Sequence, residues 1–169
     1  QVNSQEHPIF VESIRRIRAQ LGATGLDLLQ QGVLERLIHS SGDFSLTPLL
    51  RFSPGSCEIG LSALQAGAPI LTDTAMAAAA VRPMSLRTLN ASVHTVIDWA
   101  PDTTPPHKTR TAIGMSRAWV ELSQVFNDER SPIVLIGSAP TALNALLNCI
   151  ANGAASPSLI IGMPVGFVG

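Results

Sequence analysis

The sequence is poor in cysteine and in charge, and it contains no tyrosine. Its two cysteines, Cys57 and Cys149, are too few for a disulfide framework or a cysteine-rich metal site. Charged residues make up 14% of the chain and hydrophobic residues 46%, whereas an average domain has about a quarter of its residues charged. This balance predicts one globular domain over residues 1–169, with more apolar surface than a monomer of this size easily buries, and therefore an oligomer.

The net charge of −1 argues against nucleic acid or an acidic membrane surface as a partner. Residues 131–169 contain no charged residue and no histidine, but Gly137, Pro140 and Asn144 interrupt them early. Since a membrane span needs roughly 20 continuous apolar residues, a buried strand, helix and strand are expected instead. Residues 1–10 lack a basic segment followed by an apolar one, so we expect no signal peptide and a cytoplasmic protein.

Hydrophobic periodicity predicts two N-terminal helices followed by alternating helices and strands. The later strands are continuous apolar runs, which is typical of a parallel sheet covered on both faces. The expected fold is therefore α/β, a single three-layer α/β/α domain with a mainly parallel sheet preceded by two helices. The predicted helices are 4–21, 26–39, 54–67, 75–81, 109–125 and 140–151, and the predicted strands are 69–73, 92–98, 132–137 and 158–162.

No common cofactor motif is present. The segment from Gly137 to Pro140 lacks the further glycines of a dinucleotide fingerprint, and no phosphate-binding loop occurs. The four histidines are far apart in the sequence, without the spacing of a metal site. We therefore expect neither a metal nor a cofactor. Ligands of parallel sheets bind beyond the carboxyl ends of the strands, which directs attention to the residues that follow them.

His39 is the best single candidate for proton chemistry, because an imidazole exchanges a proton near neutral pH. Its predicted place on the last turn of a helix favours the charged form, although a plain helix-capping role is an alternative. Asp73 and Asp98 end predicted strands, where each either binds a substrate or caps the following helix. Thr109 and Arg110 combine a hydroxyl, a backbone N–H and a guanidinium at a helix start, which suits an anion; the alternative is an N-cap beside a surface arginine.

Several distinctive segments follow one another in order along nearly the whole chain. They are HPI at 7–9, IHSSGDF at 38–44, LRFSPG at 50–55, the residues 60–70, the Thr109-Arg110 pair, IGSAPTAL at 136–143 and IGMPVGFVG at 161–169. Taken together, these segments resemble the precorrin-8X methylmutase family of corrin biosynthesis, and their shared order makes the resemblance specific.

The resemblance implies an isomerase that moves a methyl group from ring carbon C-11 to C-12 of one tetrapyrrole. Precorrin-8X would become hydrogenobyrinate, or cobalt-precorrin-8 would become cobyrinate, without an external cofactor. It also implies a homodimer with its site near the interface, and His39 as the residue that protonates the macrocycle. The residues expected to contact the substrate, chiefly its carboxylates, are Arg51, Thr109, Arg110, Ser13, Arg16, Asp73, Ala139 and Thr141.

Two features depart from the family pattern. Ser138 stands where relatives more often have asparagine, and the chain stops at Gly169 where relatives continue, so we expect a truncated C-terminal end. A tetrapyrrole-binding carrier without turnover is the main alternative function. A nucleotide-binding regulator is a weaker one, because no phosphate loop is present.

Overall fold

The computed structural model describes residues 7–125 and 130–163. The chain divides into two compact units, Gln1–Glu58 and Ile59–Gly169, and the boundary falls within the third helix. Whether the chain acts as a single domain remains a prediction. The helices are α1 (Pro8–Leu21), α2 (Leu28–Ser41), α3 (Ser56–Gln65), α4 (Ala75–Arg87), α5 (Arg110–Val125) and α6 (Pro140–Ala151); the strands are β1 (Ile70–Thr72), β2 (Val93–Thr95), β3 (Ile133–Ile136) and β4 (Leu159–Gly162); short 3-10 helices cover Phe44–Leu46 and Val96–Trp99.

Local signals fix the ends of the two helices in the first unit. Pro8 takes the first position of α1, where a missing N–H costs nothing. Asp27 and Gln30 form a reciprocal capping box at the start of α2. Gly42 ends α2 at φ 70°, a left-handed conformation that favours glycine. His39 therefore lies on the last turn of α2, as predicted.

The core of the first unit lies between α1 and α2. Ile14 and Ile17 of α1 are buried with Leu34 and Ile38 of α2, at the three- and four-residue spacing that places side chains on one helix face. Ile9 is 72% exposed, because it lies on a different side of α1 from the Ile14 and Ile17 pair.

One buried carboxylate also joins α1 to α2. Glu35 is only 2% exposed, and its two oxygens accept hydrogen bonds of 2.7 and 2.9 Å from Nε and Nη2 of Arg18. Gln31 donates a third bond of 2.9 Å. The hydrogen bonds from Arg18 hold the pKa of Glu35 below its ordinary value, against the opposing effect of burial.

We expect Glu35→Gln to lower the free energy of unfolding at pH 7 by about 1–3 kcal/mol, because a charged hydrogen-bonded pair is lost. The loss is limited because the side chain of Arg18 is largely exposed, and solvent screens its charge. The folded pKa of Glu35 is lowered, so its stabilisation is full above the unfolded value near 4.3 and disappears as pH falls through the folded value. Denaturant titrations at pH 7 and pH 3 should therefore show a smaller difference at pH 3. Glu12→Gln, in an exposed ion pair, is the control with little effect at pH 7; an equal loss in both variants would contradict the assignment.

The second unit contains a four-stranded sheet in the order β2-β1-β3-β4, and every pair of neighbours is parallel. Neighbouring residues of β3 point to opposite faces. Val134 and Ile136 are buried with Trp119 of α5 and Leu146 of α6. Ile133 is buried on the other face with Ala63 of α3. Helices thus cover both faces, and the predicted α/β class with a parallel sheet is confirmed.

Two predicted boundaries in this unit are wrong. The strand predicted over 92–98 ends at Thr95, whose hydroxyl accepts the N–H of Ile97 and starts a 3-10 helix. The helix predicted over 75–81 continues to Arg87 and includes Pro83. Its last turn is held by Ser85, which is buried and hydrogen-bonds Ala91 through its hydroxyl; this anchor outweighs the helix-breaking tendency of proline.

Within residues 7–125 and 130–163, no helix combines the length and the apolarity needed to cross a bilayer. The uncharged segment after residue 130 forms β3, α6 and β4 as far as Gly162, which is the strand, helix and strand that the sequence predicts.

Candidate active site

His39 is exposed at the end of α2, and its ring contacts α1. The Oγ of Ser13 lies 2.7 Å from Nδ1 of His39. Ser13 is on α1, 26 residues earlier in the sequence, and the packing of α1 on α2 brings the two together. Of the residues predicted for the site in the first unit, these two are in direct contact.

An aromatic ring and a guanidinium surround this pair. The ring of Phe10 meets that of His39 edge to face, with centroids 5.0 Å apart and planes at 83°. The guanidinium carbon of Arg36 lies 4.7 Å from the centroid of Phe10, within the range of a cation–π contact. Sequence reasoning missed Phe10 and Arg36, because only the pairing of two helices shows which residues reach His39.

Arg16, predicted to bind substrate, is paired with a neighbour on its own helix. Its Nε donates to Glu12 at 2.8 Å, and Arg15 donates to the same carboxylate at 2.7 and 2.8 Å. The hydrogen bonds from Arg15 and Arg16 lower the pKa of Glu12 to about 2. The three side chains therefore carry a net charge of +1 beside the Ser13–His39 pair, which suits an anionic ligand.

Two open cavities flank these residues in the first unit. The first, of about 500 Å³, is lined by Pro8, Ile9, Glu12, Ser13 and Arg16. The second, of about 460 Å³, is lined by Phe10, Val11, Ile14, Arg15, Arg18, Gly32, Glu35 and Arg36. Both combine apolar side chains with guanidinium groups, the chemistry that a flat apolar ring rimmed by carboxylates requires.

Arg51, also predicted to bind a carboxylate, folds back on its own loop. Its Nη1 donates to the carbonyl oxygens of Pro48 at 2.6 Å and of Leu50 at 2.7 Å. The side chain is nevertheless exposed, and two of its five N–H groups at most are used by these bonds. Its role in substrate binding stays a prediction.

In the second unit, Asp73 follows β1 and is completely buried. Its Oδ2 accepts the backbone N–H groups of Ser138 and Ala139, both at 2.8 Å. Asp73 thus binds the two residues that precede α6, at the end of neighbouring β3. The expectation that Asp73 caps the following helix is wrong, because Thr74 caps α4 by accepting the N–H of Ala77.

The backbone N–H of Ala139, just before α6, is bound to Asp73. The N–H of Ala139 was predicted to receive a substrate carboxylate, but a carboxylate of the chain itself occupies it. Asp73 is buried and bound to backbone, whereas substrate contact was predicted for its side chain. Both assignments to the substrate remain predictions, and the contacts assign Asp73 a structural role at the edge where β1 and β3 end.

We expect Asp73→Asn to lower the free energy of unfolding by about 1–2 kcal/mol, because a buried carboxylate bound to two N–H groups at a helix start is replaced by a neutral amide. Asp98→Asn is the matched control, since Asp98 was predicted to share this strand-end role but is exposed on a 3-10 helix. Thermal or denaturant unfolding of both variants measures the difference. Equal stability of the two would show that the bonds from Ser138 and Ala139 to Asp73 contribute nothing.

Hydroxyl groups bring the starts of α5 and α6 together. Thr109 Oγ1 lies 2.7 Å from Thr141 Oγ1 and 3.1 Å from Thr111 Oγ1, and it accepts the N–H of Ala112 at 3.1 Å. Thr109 therefore caps α5, as predicted, and two predicted site residues are in contact. Thr111 was missed, because only the pairing of α5 with α6 brings its hydroxyl near that of Thr141.

Other candidates are held by ordinary local contacts. Arg110 donates from Nε to the carbonyl oxygen of Pro101 at 3.2 Å. His94, in the middle of β2, has Nε2 3.2 Å from the hydroxyl of Ser92 and packs against Trp99. No group of three or more histidine, cysteine or acidic side chains that would hold a metal ion occurs in the part of the chain that the structure describes.

Comparison with known proteins identifies the family. The model of the family described as precorrin-8X methylmutase matches residues 8–169. The chain belongs to this family. The cobalt-precorrin-8 methylmutase of Synechocystis sp. is 35% identical over 97% of this chain and 78% of that protein. The precorrin-8X methylmutase of Pseudomonas aeruginosa is 36% identical over 95% of this chain and 75% of that protein.

A solved structure agrees with the sequence relatives. The precorrin-8X methyl mutase from Thermus thermophilus superimposes with a TM-score of 0.79 at 38% identity, covering 96% of this chain and 77% of that one. These matches confirm the family resemblance seen in the sequence. The methylmutases are isomerases. The roles of His39 and of the residues expected to contact the substrate stay predictions.

Proposed function

We propose that this chain catalyses the intramolecular shift of a methyl group from C-11 to C-12 of precorrin-8X, or of cobalt-precorrin-8, in cobalamin biosynthesis. The observation that carries the proposal is the exposed His39, whose Nδ1 is held by Ser13, in a chain of the methylmutase family. Curated relatives are named for both the metal-free and the cobalt-bearing substrate. The cobalt belongs to the substrate and not to the protein.

The reaction requires little from the protein besides binding and one proton. Migration within one molecule leaves its atoms unchanged, so any proton given to the ring must return. The His39 imidazolium gives a proton to the macrocycle, which draws electron density out of the conjugated system and eases migration of the methyl group. His39 then takes a proton back from the product. Holding the ring in one conformer supplies the rest of the acceleration.

Substrate binding in this proposal depends on guanidinium and hydroxyl groups at the rim of an apolar surface. In the first unit, Arg16 and Arg51 are exposed and Ser13 adjoins His39. In the second unit, Thr109 and Thr141 are joined through their hydroxyls, and Arg110 is exposed beside them. Each group suits the acetate and propionate side chains of a tetrapyrrole.

A spectrum tests the function directly. Methyl migration changes the conjugated path, so precorrin-8X incubated with the purified chain should change colour, and product formation should follow enzyme concentration. A parallel incubation with cobalt-precorrin-8 shows which substrate is preferred. Tight binding of both compounds without a spectral change would instead support a tetrapyrrole carrier and refute the isomerase.

We also propose that the protein is a cytoplasmic homodimer. Large apolar side chains remain exposed on both units, among them Leu28 at 89% and Met76 at 76%, which favours burial against another chain. Both cysteines are free, in agreement with a reducing compartment. Light scattering should give twice the chain mass of 17.8 kDa.

A further inference from the structure

The contacts of the His39 ring distinguish its two nitrogen atoms. Nδ1 is engaged by Ser13 at 2.7 Å, whereas no group in the described part of the first unit, residues 7–58, hydrogen-bonds Nε2. We propose that Ser13 is a positioning residue, which holds Nδ1 so that Nε2 is the atom that exchanges the proton with the substrate. The inference rests on the proposed function and replaces substrate contact as the role of Ser13.

A hydroxyl partner suits both protonation states of the ring. When His39 is an imidazolium, Nδ1–H donates to the lone pairs of Ser13 Oγ, and Nε2–H is left for the substrate. Transfer of the Nε2 proton breaks the Nε2–H bond, forms a bond from hydrogen to the macrocycle and leaves a neutral ring with its proton on Nδ1. The same Nδ1–H···Oγ bond persists through the transfer, and Nε2 accepts the returning proton.

Packing adds a second constraint on the ring. Phe10 meets His39 edge to face at 5.0 Å, and Phe10 is itself covered by Arg36 at 4.7 Å. Phe10 and Ser13 lie three residues apart, on one face of α1. Both contacts therefore come from one buried helix pair, anchored by Ile14 and Ile38. A histidine held at one nitrogen and along its ring loses the freedom to present Nδ1 outward.

Ser13 as a substrate contact and Ser13 as a positioning residue differ in their kinetics. A lost substrate contact raises KM, whereas a lost positioning bond lowers kcat because Nε2 is misplaced in the transition state. We expect Ser13→Ala to lower kcat by about tenfold, the effect of one hydrogen bond, with KM unchanged. Ser13→Thr keeps the hydroxyl and should restore kcat to within about threefold. Ser123→Ala, another half-buried helical serine, is the control with no effect.

Nitrogen-15 NMR of the histidine rings supplies a readout that does not depend on turnover. In the neutral ring of the free protein, Ser13→Ala should shift the tautomer balance towards Nε2–H and move the Nδ1 and Nε2 resonances of His39 in opposite directions, and Ser13→Thr should restore both. If Ser13→Ala raises KM at constant kcat, or leaves the Nδ1 resonance in place, the positioning role is overturned. Failure of the wild-type chain to convert substrate refutes the proposed function alone, since the NMR result still decides the Ser13–His39 geometry.

Discussion

Replacing His39 with alanine should lower kcat by at least about 100-fold, the usual contribution of a positioned acid or base. Binding of the tetrapyrrole should be largely kept, because the groups proposed to bind it are apolar side chains and guanidinium groups, which this substitution leaves in place. The measurement is the rate of spectral conversion under saturating substrate, together with a titration of product binding. Free imidazole added to His39→Ala should restore part of the rate, since it supplies the missing proton donor.

His107→Ala is the matched control for this variant. His107 is exposed in the loop between the second 3-10 helix and α5. Its replacement should leave both rate and binding unchanged. If His39→Ala converts substrate at the wild-type rate, His39 is not the acid. If His39→Ala loses binding and rate together and imidazole restores neither, His39 acts as a substrate contact.

Much of the fold was predictable because its signals are local. Continuous apolar runs such as Ile133 to Ile136 predicted buried parallel strands, and the apolar residues of the segment 26–39 predicted α2. The errors occur where a contact from elsewhere in the chain decides the outcome. Ser85 holds the end of α4 through Ala91, so the helix continues past Pro83. No local pattern contains that bond.

The candidate site was predictable only residue by residue. The chemistry of an imidazole, a helix-end position and a family resemblance identified His39. Its partners Ser13 and Phe10 lie 26 and 29 positions earlier, and only the packing of α1 on α2 shows that they touch it. Asp73 illustrates the same limit, because its bonds to Ser138 and Ala139 depend on β1 and β3 being neighbours in the sheet. From its place in the sequence, Asp73 was expected either to bind a substrate or to cap the helix that follows it, α4.

The largest stability effect should come from Gly114, where α5 crosses the 3-10 helix that follows β2. A Cβ at this position would overlap the carbonyl oxygen of Val96 and lie 3.0 Å from its carbonyl carbon. Gly114 and Val96 are both buried, and a backbone carbonyl cannot rotate away as a side chain does. We expect Gly114→Ala to lower the free energy of unfolding by about 3 kcal/mol or more, because α5 must move off the core that Trp119 and Met115 fill.

Gly32→Ala separates this steric effect from the helix propensity of alanine. Gly32 is also inside a helix, α2, but a Cβ there meets no atom within 4 Å. Replacement of a helical glycine by alanine in open space should raise stability by about 0.5–1 kcal/mol. Denaturant unfolding should therefore give changes of opposite sign for the same substitution. If Gly114→Ala leaves the free energy of unfolding unchanged, α5 does not pack directly on the Val96 backbone. The close approach of α5 to the 3-10 helix that follows β2 would then be refuted.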